Sequence, residues 1–470
     1  MKPVFSRSLP SAFGPRMLCY AAILLSVGIA RADTLELSAT KAVEMALSSP
    51  KQVEWATAKM MEAVAGKAAA FGAFLPQISA SGSYTRLGTV NNFYTARESL
   101  MPLPVYDTME QFIGYTAPTY VPVGLDTLAL GGHDNFVLRA SAQQTLFTWG
   151  KLVNAYRIAG LNQEIQLQAL MQARAQLRID VTSSYYQALL AGRTLEVMKE
   201  SYAQLQSHVA QAQQLYDNGL ATRLDLMRAR VGLTNMAAQV SQLESGASLA
   251  LASLRNNIDV GPETEIVFDA IPSLDSATVD LGAAVDSALK RRPELEQLRR
   301  TVQVAELGIR IARTSNLPTA FAAFNYDYKN PVGFTSGWGT DWNFSAGVSL
   351  PLFTGGSNLA RLKQAQARYR QVKVGLALAE DGIRLEVQAT VSALNQEARN
   401  AAIQSENVKV AEEALGLAET RYQNGLLTNL EYMDTQLALT QSRLSYLSSL
   451  VNCRIARARL LQAMGIIEEE

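Results

Sequence analysis

The sequence predicts a mainly helical chain with a smaller membrane-inserted β part, built from two copies of a strand-strand-helix-helix unit. Three observations predict this fold class: an internal repeat, two long segments without proline, and alternating strands just before each of those segments. The clearest repeat is the pattern Tyr-x-x-Gly-x-x-Thr, which occurs within residues 216–227 and returns within residues 422–433. A long tandem duplication indicates an architecture assembled from similar units.

Residues 1–32 are predicted to be a secretory signal peptide. Positive charges precede a short apolar segment at 17–29, and a small-x-small cleavage site precedes Asp33. The apolar segment is shorter than the roughly 20 residues that a membrane-spanning helix needs. Cys19 lies at the front of this segment, which disfavours a lipid anchor. Cleavage would leave Cys453 as the single cysteine, so the sequence predicts no intrachain disulfide.

The first structural repeat is predicted over residues 33–258. Its strands, at about 77–87 and 135–147, alternate apolar with small polar side chains, the pattern of a β-strand with two different faces. The intervening residues 86–134 are rich in Pro, Gly, Tyr and Asn, and they are expected to form surface loops. A long helical hairpin is predicted over 151–258, because this segment lacks proline.

An inter-repeat linker at 259–277 is predicted to join the second structural repeat, residues 278–470. The second repeat has strand candidates at about 319–328 and 341–350, each with an apolar-aromatic face. Its helical hairpin is predicted over 357–464.

The long helices are predicted to form a coiled coil, because apolar residues follow alternating spacings of three and four. A first arm of about 65 residues would be on the order of 100 Å long. Tyr216 and Tyr422 are expected to close the seam at each tip. The seam positions approaching the two tips are Tyr202, Leu205, Val209, Ala212 and Tyr216, and Val408, Ala411, Leu415, Ala418 and Tyr422.

Oligomerisation is predicted by the number of strands. Strands of about 10 residues with one apolar and one small-polar face are typical of a lipid-facing, water-lined barrel. Four strands cannot close a barrel, and an open sheet edge is not tolerated in lipid. Three copies would supply twelve strands, so the sequence predicts a trimeric 12-stranded β-barrel continued by an α-helical barrel.

Composition and motifs disfavour catalysis and nucleic-acid binding. The chain has 42 basic and 42 acidic residues, whereas phosphate binding needs a basic surplus. We find no catalytic motif and no metal-ligand spacing around His133 or His208, so both histidines are interpreted as bystanders. The sequence therefore predicts no enzyme, no cofactor, no metal site and no nucleic-acid partner.

With these features together, the chain resembles the outer-membrane efflux protein family, the TolC-like channels of Gram-negative bacteria. The resemblance covers the duplicated plan, the Leu-Phe-Thr sequence before each long helix, and the paired tips. It implies a homotrimer in outer-membrane lipid with a periplasmic helical extension. It also implies a periplasmic adaptor protein as a direct partner, and indirectly an inner-membrane pump of RND, ABC or MFS type.

The resemblance assigns roles to the tip residues. Four of them match the family's pore constriction and gate: Glu431, Asp434, Asp225 and Tyr422. The Glu431 and Asp434 side chains would form acidic rings in a trimer. Mutual repulsion would raise their pKa values, and the rings would favour cations at the mouth. The positions that match adaptor-docking tips are Tyr216, Asn218, Gly219, Leu220, Thr222, Tyr422, Asn424, Gly425, Leu426 and Thr428.

One position departs from the family. Leu427 stands where well-known members have an arginine that locks the closed mouth against an acidic residue of the first hairpin, here Asp225. Arg223 is a nearby cation that could replace it.

The function that the resemblance implies is a passive exit duct of a tripartite efflux or type I secretion system. The alternative is a non-conducting periplasmic coiled-coil scaffold, which would explain the heptads but give the amphipathic strands no purpose. The sequence leaves the cargo open among drugs, metal ions, siderophores and polypeptides.

Overall fold

The structure, a computed structural model, describes residues 34–48, 50–90, 92–129, 132–270, 279–333 and 337–466. The predicted signal peptide at 1–32 lies outside these residues. The elements, in chain order, are β1 (Thr34–Leu37), α1 (Ala39–Ser48), α2 (Pro50–Gly72), β2 (Gln77–Arg86), β3 (Asn92–Met101), β4 (Pro104–Tyr106), β5 (Phe112–Tyr115), β6 (Thr119–Ala129), β7 (Asp134–Phe147), α3 (Lys151–Asp217), α4 (Arg223–Asn257), β8 (Glu265–Phe268), α5 (Leu281–Arg291), α6 (Pro293–Thr314), β9 (Thr319–Asn330), β10 (Gly339–Ser349), α7 (Ser357–Gln423) and α8 (Asn429–Ala463).

The two helical hairpins have the same dimensions. Helices α3 and α7 contain 67 residues each, and α4 and α8 contain 35 each. At about 1.5 Å per residue, α3 and α7 are each roughly 100 Å long. Both begin after a glycine in the left-handed region, Gly150 and Gly356, each with a φ of 79°. This geometry favours glycine and lets the chain turn from the sheet into the helix.

Two hydrophobic cores lie far from the tips, one in each repeat. The first core packs α1 and the β1–β8 pair against α3 and α4, and Leu37 and Leu254 are fully buried in it. The Tyr185 hydroxyl donates a 3.0 Å hydrogen bond to the Leu37 carbonyl. The second core packs α5 and the start of α6 against α7 and α8 around Val387.

The inter-repeat linker contains a strand that the sequence did not indicate. Within the linker predicted at 259–277, β8 pairs in parallel with β1. The two strands have four residues each, too short for periodicity to reveal them. The pairing ties the beginning of the first repeat to the segment that leads into the second.

Four strands, two from each repeat, form one antiparallel sheet in the order β10-β9-β7-β2. The sheet joins the two repeats through the β7–β9 ladder, which runs from Phe136 opposite Asn330 to Phe147 opposite Ala320. Within the described residues, β2 and β10 each have one edge without a strand partner. Unpaired edges expose backbone N–H and C=O groups to pairing with another chain.

One face of this sheet carries a ladder of polar contacts across all four strands. Its contacts are the Ser79–Ser141 hydroxyl pair at 2.8 Å, the Arg139–Asp327 ion pair at 2.7 Å, the Asn325–Asn343 amide pair at 3.0 Å and the Lys329–Asp341 ion pair at 2.8 Å. The Asp327 side chain is 8% exposed and accepts two hydrogen bonds from the Arg139 guanidinium. Such satisfied polar contacts suit a wet, hydrogen-bonding surface.

The opposite face is apolar, and none of the residues that the structure describes covers it. Its exposed members are Ile78, Tyr84, Leu138, Phe324, Tyr326, Tyr328, Trp342, Phe344 and Val348. Monomeric soluble proteins seldom expose so continuous an apolar surface, so this face is suited to contact with lipid or protein. Separately, none of the helices in the described ranges has the length and apolar character of a membrane span.

The insertion between β2 and β7 is β-structure, so the expectation of surface loops over 86–134 was wrong. Strand β3 pairs with β6, and β4 pairs with β5 inside that ribbon. The ribbon continues the β2–β7 pair, because the Leu87 N–H donates to the His133 carbonyl at 2.7 Å. Its Pro, Gly and Asn residues obscured the pattern, since these residues usually mark turns.

Candidate functional site at the helix tips

The predicted tip residues lie at the turns that join α3 to α4 and α7 to α8. Gly219 and Gly425 have φ values of 72° and 70°, the left-handed conformation that reverses a helix end. Asn218 and Asn424 are the C-caps that precede them. The Asn424 side-chain amide also donates to the Thr420 carbonyl at 2.7 Å. The two turns are therefore built in the same way.

Each return helix begins with a threonine cap. The Thr222 hydroxyl accepts a hydrogen bond from the Asp225 N–H at 3.1 Å, and the Thr428 hydroxyl accepts from the Glu431 N–H at 3.3 Å. The Glu431 carboxylate also accepts from the Thr428 N–H at 3.0 Å, which completes a capping box. Such caps satisfy backbone donors that the helix leaves free.

The two predicted ring carboxylates have different surroundings. The backbone N–H and the hydroxyl of Thr428 stabilise the charged form of Glu431 and lower its pKa. Asp434 is exposed and has no hydrogen-bond or ion-pair partner among the described residues. Within one protomer, the pKa of Glu431 is therefore lowered, whereas the acidic-ring hypothesis expects it to be raised. The expected rise would require carboxylates from neighbouring copies.

The tyrosines at equivalent tip positions differ in burial. The Tyr216 side chain is 38% exposed, whereas Tyr422 stacks on Tyr432 with ring centroids 5.1 Å apart. Burial is the main cause that raises the pKa of Tyr422, and the charge of Asp225 adds to it. Of the two predicted seam-closing tyrosines, only Tyr422 is packed.

His208, interpreted from the sequence as a bystander, is a central residue of the tip. Its ring is 3% exposed, and its centroid lies 4.5 Å from that of Tyr432 and 5.1 Å from that of Tyr422. Its Nε2 lies 2.6 Å from the Asn429 Oδ1. The spacing in the sequence could have indicated its burial, because His208 falls three residues after the buried Leu205 and four before the buried Ala212.

The apolar residues of the turns point away from the helices. Leu220 and Leu426 are each 76% exposed and occupy equivalent positions just after the two glycines. Leu427, at the position that departs from the family, is partly buried. Arg223 is exposed and makes no ion pair with any residue that the structure describes, so it does not replace the missing arginine within the protomer.

The comparisons with known proteins match this architecture. The family model described as "Outer membrane efflux protein" matches residues 42–258 and 284–466. The probable efflux pump outer membrane protein TtgC of Pseudomonas putida is 28% identical over 306 residues, 61% of this chain and 61% of TtgC. The alkaline protease secretion protein AprF of Pseudomonas aeruginosa is 26% identical over 353 residues, 72% of this chain and 71% of AprF.

Solved structures confirm the predicted fold class. The outer membrane protein VceC of Vibrio cholerae superposes with a TM-score of 0.70 at 19% identity, covering 91% of this chain and 96% of VceC. The chain spans 61% of the length of TtgC. The family match covers most of both repeats, and the chain belongs to the outer membrane efflux protein family.

Proposed function

We propose that three copies of this chain form a passive, gated conduit across the outer membrane, an exit duct for efflux or type I secretion. The observation that carries the proposal is the four-stranded sheet, with an uncovered apolar face, a polar ladder on the other face and two open edges. Three such sheets joined edge to edge give twelve strands, with lipid outside and water inside. The long helices continue this conduit into the periplasm.

The chain would transport cargo without catalysing a reaction. An inner-membrane pump of RND, ABC or MFS type would supply the energy, and a periplasmic adaptor would connect the pump to the tips. TtgC is named for an efflux pump and AprF for secretion of alkaline protease, so both transport classes are represented among the relatives.

Planar-bilayer recording tests the proposed conduit. Purified protein added to a lipid bilayer is expected to give discrete conductance steps, because a closed barrel with a polar lumen admits ions. Protein that is folded by circular dichroism but never produces steps would favour the non-conducting scaffold.

The adaptor is proposed to dock on the exposed tip leucines. Replacing Leu220 and Leu426 with aspartate should weaken adaptor binding by at least about tenfold per leucine, since burying one leucine contributes roughly 1.5–3 kcal/mol. Surface-immobilised channel and soluble cognate adaptor would give the dissociation constants. Methionine at the same two positions is the matched control and should bind nearly as well as leucine. Unchanged affinity of the aspartate variant would place the docking surface elsewhere.

The mouth is proposed to be lined by Glu431 and Asp434, with Asp225 and Tyr422 beside them at the gate. In three copies each acidic position contributes a ring of three carboxylates. Asp434 is the better candidate for contact with ions, because Glu431 is engaged with Thr428.

A further inference from the structure

The histidine at the tips lies where the two hairpins of one protomer meet. His208 belongs to α3, whereas its neighbours Tyr422, Asn429 and Tyr432 belong to α7 and to the start of α8. Asn429 is 6% exposed, and its Nδ2 donates to the Asp225 carbonyl of α4 at 3.1 Å. A single cluster thus contacts all four long helices.

The hydrogen bonds fix the protonation state of this cluster. A backbone carbonyl only accepts, so the Asn429 amide nitrogen must face Asp225, and its oxygen must face His208. The His208 Nε2 therefore carries a proton and donates it to Asn429. The Nδ1 is buried and has no hydrogen-bond partner in the described part of the chain, so the closed arrangement fits a neutral imidazole.

Among the described residues, the other polar contacts between α3 and α8 lie farther from the turns. Ser201 pairs with Thr440 at 3.0 Å, and the Gln436 amide donates to Gln204 at 3.5 Å. The bond between His208 and Asn429 is the member of this series nearest to the tips and the shortest of the three. A mouth that opens by separating the hairpins must break this bond and the Asn429–Asp225 bond beside it.

From these contacts, and on the basis of the proposed gated conduit, we infer that neutral His208 positions the gate. Its contacts fasten the first hairpin to the second at the mouth. Separation of α3 from α8 would expose the imidazole to water, where it takes up a proton readily.

The direction of the pH effect follows from burial. Desolvation is the main cause that lowers the pKa of His208 below its ordinary value of 6.5, while the bond to Asn429 acts in the opposite direction. The fastened state therefore binds fewer protons than the separated state. The contact between the hairpins is therefore most stable above about pH 6.5, and its stability decreases as the pH falls below that value.

The other titratable groups around the cluster are two tyrosines and two acidic residues. Burial raises the pKa values of Tyr422 and Tyr432, so both phenols stay neutral near neutrality. The charges of Asp225 and Glu419 act on these two tyrosines respectively.

The test compares the wild-type chain with three variants between pH 7.5 and 5.5. Single-channel recording measures the open fraction, and spin labels in place of Asp217 and Gln423 measure the distance between the two tips. The wild-type open fraction is expected to rise roughly tenfold on acidification, the change that about 1.4 kcal/mol produces. His208→Gln keeps an amide donor without the titration, so it should stay closed at both pH values. His208→Ala should be open, with widely spaced labels, at both.

The matched control is His133→Gln, which removes the chain's other histidine and should respond to pH as the wild type does. A wild-type pH response in His208→Gln, or closed tips in His208→Ala, would overturn the inference. The label distances could change with the residue at 208 as expected while the protein never produces conductance steps. That result would support the role of His208 in holding the hairpins together and would refute the conduit instead.

Discussion

Neutralising the mouth, with Glu431→Gln and Asp434→Asn together, is expected to raise single-channel conductance and to weaken block by multivalent cations. In a trimer the two positions would place several carboxylates around one narrow axis, where a multivalent cation is held strongly and obstructs flow. Removing the charge removes that binding. Planar-bilayer recordings with increasing concentrations of a trivalent cation would measure both effects.

The single variants should differ in effect. The Glu431 carboxylate accepts two hydrogen bonds from Thr428, whereas Asp434 is exposed. Asp434→Asn should therefore cause most of the change in block, by about tenfold or more in the blocking concentration if it removes about 1.4 kcal/mol of binding free energy. Glutamine at 431 can maintain the capping box, so the tip should keep its structure.

A matched control is Asp381→Asn, which changes an exposed acidic residue of α7 far from the tips and should leave block unchanged. If the double variant shows the wild-type conductance and the wild-type block, the acidic rings do not form the constriction.

Replacing Asp327 with alanine is expected to reduce the yield and the melting temperature of the assembled protein. The Asp327 side chain is 8% exposed and bonds the Arg139 guanidinium at 2.7 and 2.8 Å. Breaking a fully buried ion pair costs about 3–5 kcal/mol. The Arg139 side chain is 47% exposed, so water compensates part of its lost partner, and we expect a smaller loss of stability than a fully buried pair would show.

The neighbouring ion pair in the polar ladder provides the control. Lys329 and Asp341 are 27% and 55% exposed, and exposed ion pairs contribute little to stability because water screens them. Asp341→Asn should thus leave the thermal unfolding transition almost unchanged. The double variant Arg139→Ala with Asp327→Ala should recover part of the loss, because no charge then lacks its partner. Equal effects of Asp327→Ala and Asp341→Asn would contradict this assignment.

Periodicity made the long helices predictable. The proline-free segments and the three-four spacing of apolar residues continue over many turns, and Ala411, Leu415 and Ala418 all lie on the less exposed side of α7. The tips were predictable for a local reason, since Asn-Gly followed by Thr contains both a helix stop and a helix start.

Features that depend on contacts between distant segments were missed. The four-residue strand β8 gains its partner β1 from the opposite end of the first repeat. The pairing of Arg139 with Asp327 depends on strand register between the repeats. His208 has no His or Cys at a metal-ligand spacing, so its role emerges only when α7 and α8 pack against α3.

The molar mass of the membrane-extracted protein, measured by light scattering with correction for bound detergent, tests the central claim most directly. Edge strands β2 and β10 are proposed to pair between copies, so the account predicts three chains per particle and a requirement for detergent. A monomer that stays dispersed without detergent would contradict the shared barrel.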